Sequence, residues 1–120
     1  CGALANLCAG DGAAGLARIQ RAAAAGAIEA AVAAMQAHPL VAEVQAGGCM
    51  VLRNVCCGTG AAGFARNQRA ADAGAIEAAV AAMRAHPQVA RVQQQGCAAL
   101  VNVCSGMDAA GLARSQRAAE

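Results

Sequence analysis

A period of 48 residues constrains this chain more than any other feature. Cys1, Cys49 and Cys97 lie 48 apart, as do Cys8, Cys56 and Cys104. The string AGAIEAAVAAM at Ala25–Met35 returns at Ala73–Met83. Laid over each other, residues 1–48 and 49–96 agree at 34 of 48 positions, and residues 97–120 repeat the first half of the unit. A unit of roughly 20–50 residues cannot bury its apolar face alone and does so against a neighbour, so a fixed period of this size predicts a stacked array. The expected organisation is one array over residues 1–120, with units 1–48 and 49–96 and a partial unit 97–120, incomplete at both ends.

Composition decides the secondary structure. Alanine dominates nearly every segment, Phe64 is the one aromatic residue, and Pro39 and Pro87 are the only prolines. Alanine is the strongest helix former, and the period-two alternation of a half-buried strand is absent, so the chain reads as all-α. Alanine also buries little area, which makes a core at ~25 cal/mol per Å² thin and favours repetitive stacking.

Start and stop signals divide each unit into three helices. A long helix is expected from about Leu40 through Cys56, ending near Gly58. A glycine-rich link, Gly58–Gly63, leads into a helix over about Ala61–Ala73. Gly74 breaks it, because glycine suits the left-handed cap. A helix over Ala75–Ala85 follows, closed by His86–Pro87, since the residue before proline avoids the α region. The long helix then recurs with helical apolar spacing at Val89, Val92, Gly96, Leu100 and Val103. Equivalent links fall at Gly10–Gly15 and Gly106–Gly111.

The string VQQQGCAALVNVCSG at Val92–Gly106, followed by ARSQRAAE, resembles the third helix of an armadillo repeat running into the next first helix. AGAIEAAVAAM is similar to the armadillo turn and second helix. The resemblance covers the whole chain, although a unit of 48 is longer than the usual armadillo repeat, and the excess is assigned to the glycine-rich links. A two-helix HEAT-type repeat accounts less well for the breaks at Gly26 and Gly74. The resemblance implies a right-handed superhelical solenoid of about two and a half three-helix repeats, with third helices lining a concave groove. In peptide-binding members an asparagine ladder grips an extended backbone there; the matching residues are Asn6, Asn54 and Asn102. A side-chain amide donates and accepts together, which suits an extended peptide, yet it can equally cap a helix or bond a neighbouring unit's backbone. The family's groove tryptophan is replaced by Gly2, Met50 and Ala98.

Comparison of the copies separates two faces of the long helix. Residues 49, 52, 54 and 56 are identical to 1, 4, 6 and 8, whereas 50, 53 and 57 differ from 2, 5 and 9. Met50, Arg53, Asn54 and Cys57 share one face at helical steps; Cys49, Leu52, Val55 and Cys56 share another. The unchanging face reads as core and the changing face as surface, so groove specificity falls to Met50, Arg53, Cys57, Ala98, Val101 and Ser105, with Gly2, Ala5 and Ala9 in the first copy. These are mostly small and apolar and favour an apolar or alanine-rich partner.

The remaining chemistry-bearing residues read as structural. Cysteines seven apart on a helix lack zinc-knuckle spacing and pack as small hydrophobes, so Cys1, Cys8, Cys49, Cys56, Cys97 and Cys104 are expected in the core, with Leu4, Leu52 and Leu100. Cys57, beside Cys56, is expected to point toward the groove. The odd cysteine count argues against a disulfide framework and favours a reducing intracellular compartment. His38 and His86 sit in identical AHP turns and are expected to end helices. Arg18/Arg21, Arg66/Arg69 and Arg114/Arg117 recur on the first helices and form a possible basic edge for phosphate or an acidic partner; against it stand a net charge of only +2 and the nearby Glu29 and Glu77. No apolar run reaches the ~18 residues of a membrane span, no signal peptide is visible, and no enzyme, metal or cofactor signature is present. The expected function is therefore non-catalytic: a protein-interaction module or scaffold binding a protein or peptide segment along the third helices, with nucleic acid disfavoured. The alternative is an architectural subunit of a large assembly with no groove ligand.

Overall fold

A computed structural model describes residues 12–57 and 60–105. Within them the chain forms six α-helices and no strand: α1 Gly12–Ala24, α2 Ala27–Ala37, α3 Ala42–Val55, α4 Gly60–Asp72, α5 Ala75–Ala85 and α6 Ala90–Val103. Two runs of three helices thus follow one another at the period of the sequence. Equivalent helices pack together across the runs, α3 against α6 most extensively and α2 against α5. Within each run the second helix packs on the third.

Local signals explain the breaks. Gly26 and Gly74 both adopt φ 94°, a left-handed conformation that glycine enters without a Cβ penalty. Each closes one helix and opens the next. Gly26 donates its N–H to the Ala23 carbonyl and accepts from the Ala30 N–H through its own carbonyl. At the other end of α2 and α5, His38 and His86 leave the helical region, and the following proline cannot continue the ladder. The glycine-rich link is shorter than expected. Gly60 and Gly63 lie inside α4, and Gly12 and Gly15 inside α1. A helical glycine costs about 1 kcal/mol relative to alanine but does not stop a helix flanked by alanines.

The core lies between the helix layers. Ile28, Val51, Leu52, Val55, Ile76 and Val92 are essentially inaccessible, filled in with alanines. Small residues let α2 and α3 approach closely. A Cβ added at Gly48 would collide with Met35 Cγ, and one at Gly96 would stand 2.6 Å from Met83 Cγ. Two glutamines that the sequence pattern did not single out lock this corner. Gln45 Nε2 donates to the Met35 and His38 carbonyls at 2.9 Å each, and Gln93 Nε2 donates to Met83 and His86 at 2.8 and 3.0 Å. They satisfy carbonyls that the ends of α2 and α5 leave without intrahelical partners.

The burial expected of the cysteine–leucine face holds in α3 and fails in α6. Cys49 and Leu52 are 0% exposed and Cys56 1%. Cys97, by contrast, is exposed, and Leu100 and Cys104 are half-buried. The residues are the same; the difference is that α6 covers α3. Cys1, Leu4 and Cys8 lie outside the described residues.

Candidate third-helix interaction face

Several accessible positions of α3 and α6 and of the residues just after them differ between copies, beside the kept and accessible Cys97 and Leu100 of α6. Met50, Arg53 and Cys57 on α3 are partly exposed, as is Ala98 on α6, while Val101 and Ser105 are exposed, Val101 to 69%. The side chains kept between copies on α3, at 49, 52, 54 and 56, are buried. Arg53 supplies the positive charge within this patch, and its Nε donates to Asn54 Oδ1 at 3.2 Å. The Cys57 Sγ lies 2.9 Å from the Asn54 carbonyl oxygen. Cys57 is disulfide-bonded, contrary to the expectation of a chain without disulfides. Cys49, Cys56, Cys97 and Cys104 are free thiols.

The two described asparagines of the ladder differ: Asn54 is buried and Asn102 partly exposed. Asn54 is only 5% exposed. Asn102 Nδ2 donates to the Arg53 carbonyl, one unit back, at 2.7 Å. The amide nitrogen of Asn102 therefore ties α6 to α3, the second of the two roles open to it from sequence. Asn6, Gly2, Ala5 and Ala9 lie outside the described residues.

The arginine edge separates into unlike members. Arg66 is 5% exposed and sits inside the structure, not on an edge. Its Nε donates to the Val55 carbonyl at 3.0 Å, Nη2 to the Cys57 carbonyl at 3.1 Å and Nη1 to Gln20 Oε1 at 2.7 Å. A cation at the C-terminus of α3 meets the negative end of the helix dipole, which is why it stays buried without a carboxylate. Arg69 lies at the surface and forms a two-pronged pair with Glu29, at 2.7 and 3.2 Å. The hydrogen bond from Arg69 holds the Glu29 carboxyl below the usual carboxylate range. A shallow depression of about 490 Å³ beside this pair is lined by Glu29, Gln68, Arg69 and Asp72, a mixture of signs ill suited to phosphate. Arg18 and Arg21 are exposed; Arg114 and Arg117 lie outside the described residues.

His86 does more than end a helix. Its Nε2 lies 2.9 Å from the carbonyl oxygen of Pro39, bridging the two AHP turns. Asn67, wholly buried, donates through Nδ2 to Ser105 Oγ at 3.2 Å, where the first unit carries Ile19. Neither contact could be read from spacing, because each needs the partner from a different helix. Among the described residues no three His, Cys, Asp or Glu side chains are placed to hold a metal ion, and no helix is long and apolar enough to cross a membrane. Compared with protein-family models, curated proteins and solved structures, the chain matches none.

Proposed function

We propose that the chain is part of an armadillo-type solenoid and works as a non-catalytic interaction module, taking a protein or peptide segment along the concave face of its third helices. One observation carries the reading: Met50, Arg53 and Cys57 at α3 and their equivalents Ala98, Val101 and Ser105 at α6, which differ between copies, all remain accessible. Because none of the six is locked in the core, they can vary with a partner without disturbing the packing. The pairing of α3 with α6 and of α2 with α5 supports the stacked arrangement. Asn102 ties α6 to α3 and Asn54 is buried, so contact with the partner rests on Met50, Arg53, Ala98, Val101 and Ser105. The small apolar surface, with Arg53 as its positive group, suits an apolar segment carrying an isolated acidic residue.

The architectural alternative is favoured by the Asn102 bond to Arg53, since it uses a ladder amide internally. Peptide display against the full chain separates the two. Selected peptides should lose binding on Val101→Lys and Arg53→Ala and keep it on Leu40→Ala, which alters a residue 85% exposed in a turn. If no peptide is enriched, or if enriched peptides bind the Val101→Lys and Arg53→Ala chains as well as the parent, the groove reading is wrong.

A further inference from the structure

Arg66 lies almost wholly inside the structure, yet its charge is only partly balanced there. Its hydrogen bonds to Val55, Gln20 and Cys57 use one N–H on each guanidinium nitrogen. A guanidinium carries five N–H donors. One N–H on each terminal nitrogen therefore has no acceptor among the described residues. The carbonyl end of α3 offsets about half of the positive charge, the share that a helix terminus carries. Arg69, one turn further along α4, is already offset by Glu29. We propose that the cleft beside Arg66, between α1 and α4, is a binding site for an aliphatic carboxylate. This site is separate from the third-helix face and does not depend on it.

The cleft is lined by Gln20 and Ala23 of α1 and by Ala62, Ala65, Arg66 and Arg69 of α4, with no acidic side chain among them. Its volume of about 150 Å³ is well below the ~300–1,000 Å³ of sites for drug-sized ligands, so the occupant has few heavy atoms. Three alanines supply methyl walls and the arginines supply charged donors. A carboxylate on a short aliphatic stem matches both, its oxygens accepting from Arg66 and its methylenes lying against alanine. Hydrogen bonds between two ionised groups are about twice as strong as neutral ones, which offsets the loss of water from the carboxylate. Inorganic phosphate fits less well, because oxygens on the alanine side lose water and gain no donor. The cleft exists only at the joint between the two runs of helices, since Gln20 belongs to the first and Arg66 to the second. A free short-chain acid and the acidic side chain of another protein both carry this chemistry.

The Arg66 Nε–H resonance of the isotopically labelled full chain reports on the site during titration with sodium butyrate. It should move saturably with butyrate and not with sodium phosphate at the same ionic strength. Ala62→Leu, at an exposed position, fills the cleft and should abolish the shift while leaving the helical circular dichroism unchanged. Gln20→Glu sets a carboxylate against Arg66 Nη1 within the chain itself. That chain should stay folded and bind butyrate about tenfold more weakly or worse. A capped glutamate tripeptide separates the two sources. Saturation by the peptide at lower concentration than butyrate supports the site and marks an acidic side chain as its occupant; the reverse order supports it and marks a free acid. Absence of a saturable shift with both probes would overturn the proposal. So would phosphate saturating as readily as butyrate, or butyrate shifts that persist undiminished in both the Ala62→Leu and Gln20→Glu chains.

Discussion

Arg66→Ala is the substitution whose cost follows most directly from the structure. The guanidinium makes three hydrogen bonds, two of them to carbonyls at the end of α3. Hydrogen bonds to a charged group contribute about 1.5–3 kcal/mol each. The gross sum overstates the effect, because dehydrating the guanidinium costs several kcal/mol and is recovered when the side chain is removed. What remains is the penalty for leaving the Val55 and Cys57 carbonyls and Gln20 Oε1 without their donor, together with the lost interaction with the α3 dipole. The expected net loss is about 3 kcal/mol, which for a domain of this size lowers the melting midpoint by roughly 10 °C. Arg66→Lys keeps the charge but not the fork, and should recover less than half, since one ammonium cannot reach all three acceptors. Arg18→Ala alters the exposed counterpart and should stay within about 0.5 kcal/mol of the parent. Urea unfolding followed by circular dichroism measures all three. An Arg66→Ala chain as stable as the Arg18→Ala chain would refute the assignment of Arg66 as the clamp on α3.

Further outcomes follow from other contacts. Gly48→Ala should destabilise by about 1–3 kcal/mol and Gly96→Ala by less, because Met35 is fully packed whereas Met83 is partly free to move aside; thermal melts decide the order. Burial pushes the Cys49 thiol up to about 11, so a thiol probe at mildly alkaline pH should label exposed Cys97 first and reach Cys49 only on unfolding, as peptide mapping would show. The Glu29 carboxyl has a lowered folded-state pKa, so its small contribution is complete above the ordinary carboxylate range and is lost as pH falls through the folded value. Because the pair is nearly half-exposed, Glu29→Gln at neutral pH should cost under about 1 kcal/mol, shrinking in high salt, measured by urea unfolding at two ionic strengths. Gln45→Leu should cost about 1–3 kcal/mol by stranding the Met35 carbonyl, while the His38 carbonyl keeps the Val41 N–H, checked by the same unfolding series.

The helices and their order were legible because alanine content, the recurring AG and HP pairs and the 48-residue period all point the same way. The break at Gly74 and the helix Ala75–Ala85 fall where those signals put them. Glycine content overstated the links: Gly60 falls inside the helix rather than before it, because the surrounding alanines carry the helix through it. The arginines were legible as a repeat and illegible as a site. Arg18 and Arg66 share a motif, yet one is exposed and the other clamps the end of α3, because a side chain's role depends on what lies opposite it. The glutamines at 45 and 93 recur at the period and could have been noticed, but recurrence alone does not distinguish a capping amide from a solvated one.

The Asn102 amide reaches a carbonyl 49 residues back, one residue more than the period. The contact links the second run of three helices to the first, as do His86 to Pro39, Arg69 to Glu29 and Arg66 to Gln20. Pulled from its ends, a chain joined this way resists as a single body. The first run of helices cannot lengthen without shearing these polar contacts and the α3–α6 seam together, so force applied along the chain is shared across the joint, and the two runs yield in one step.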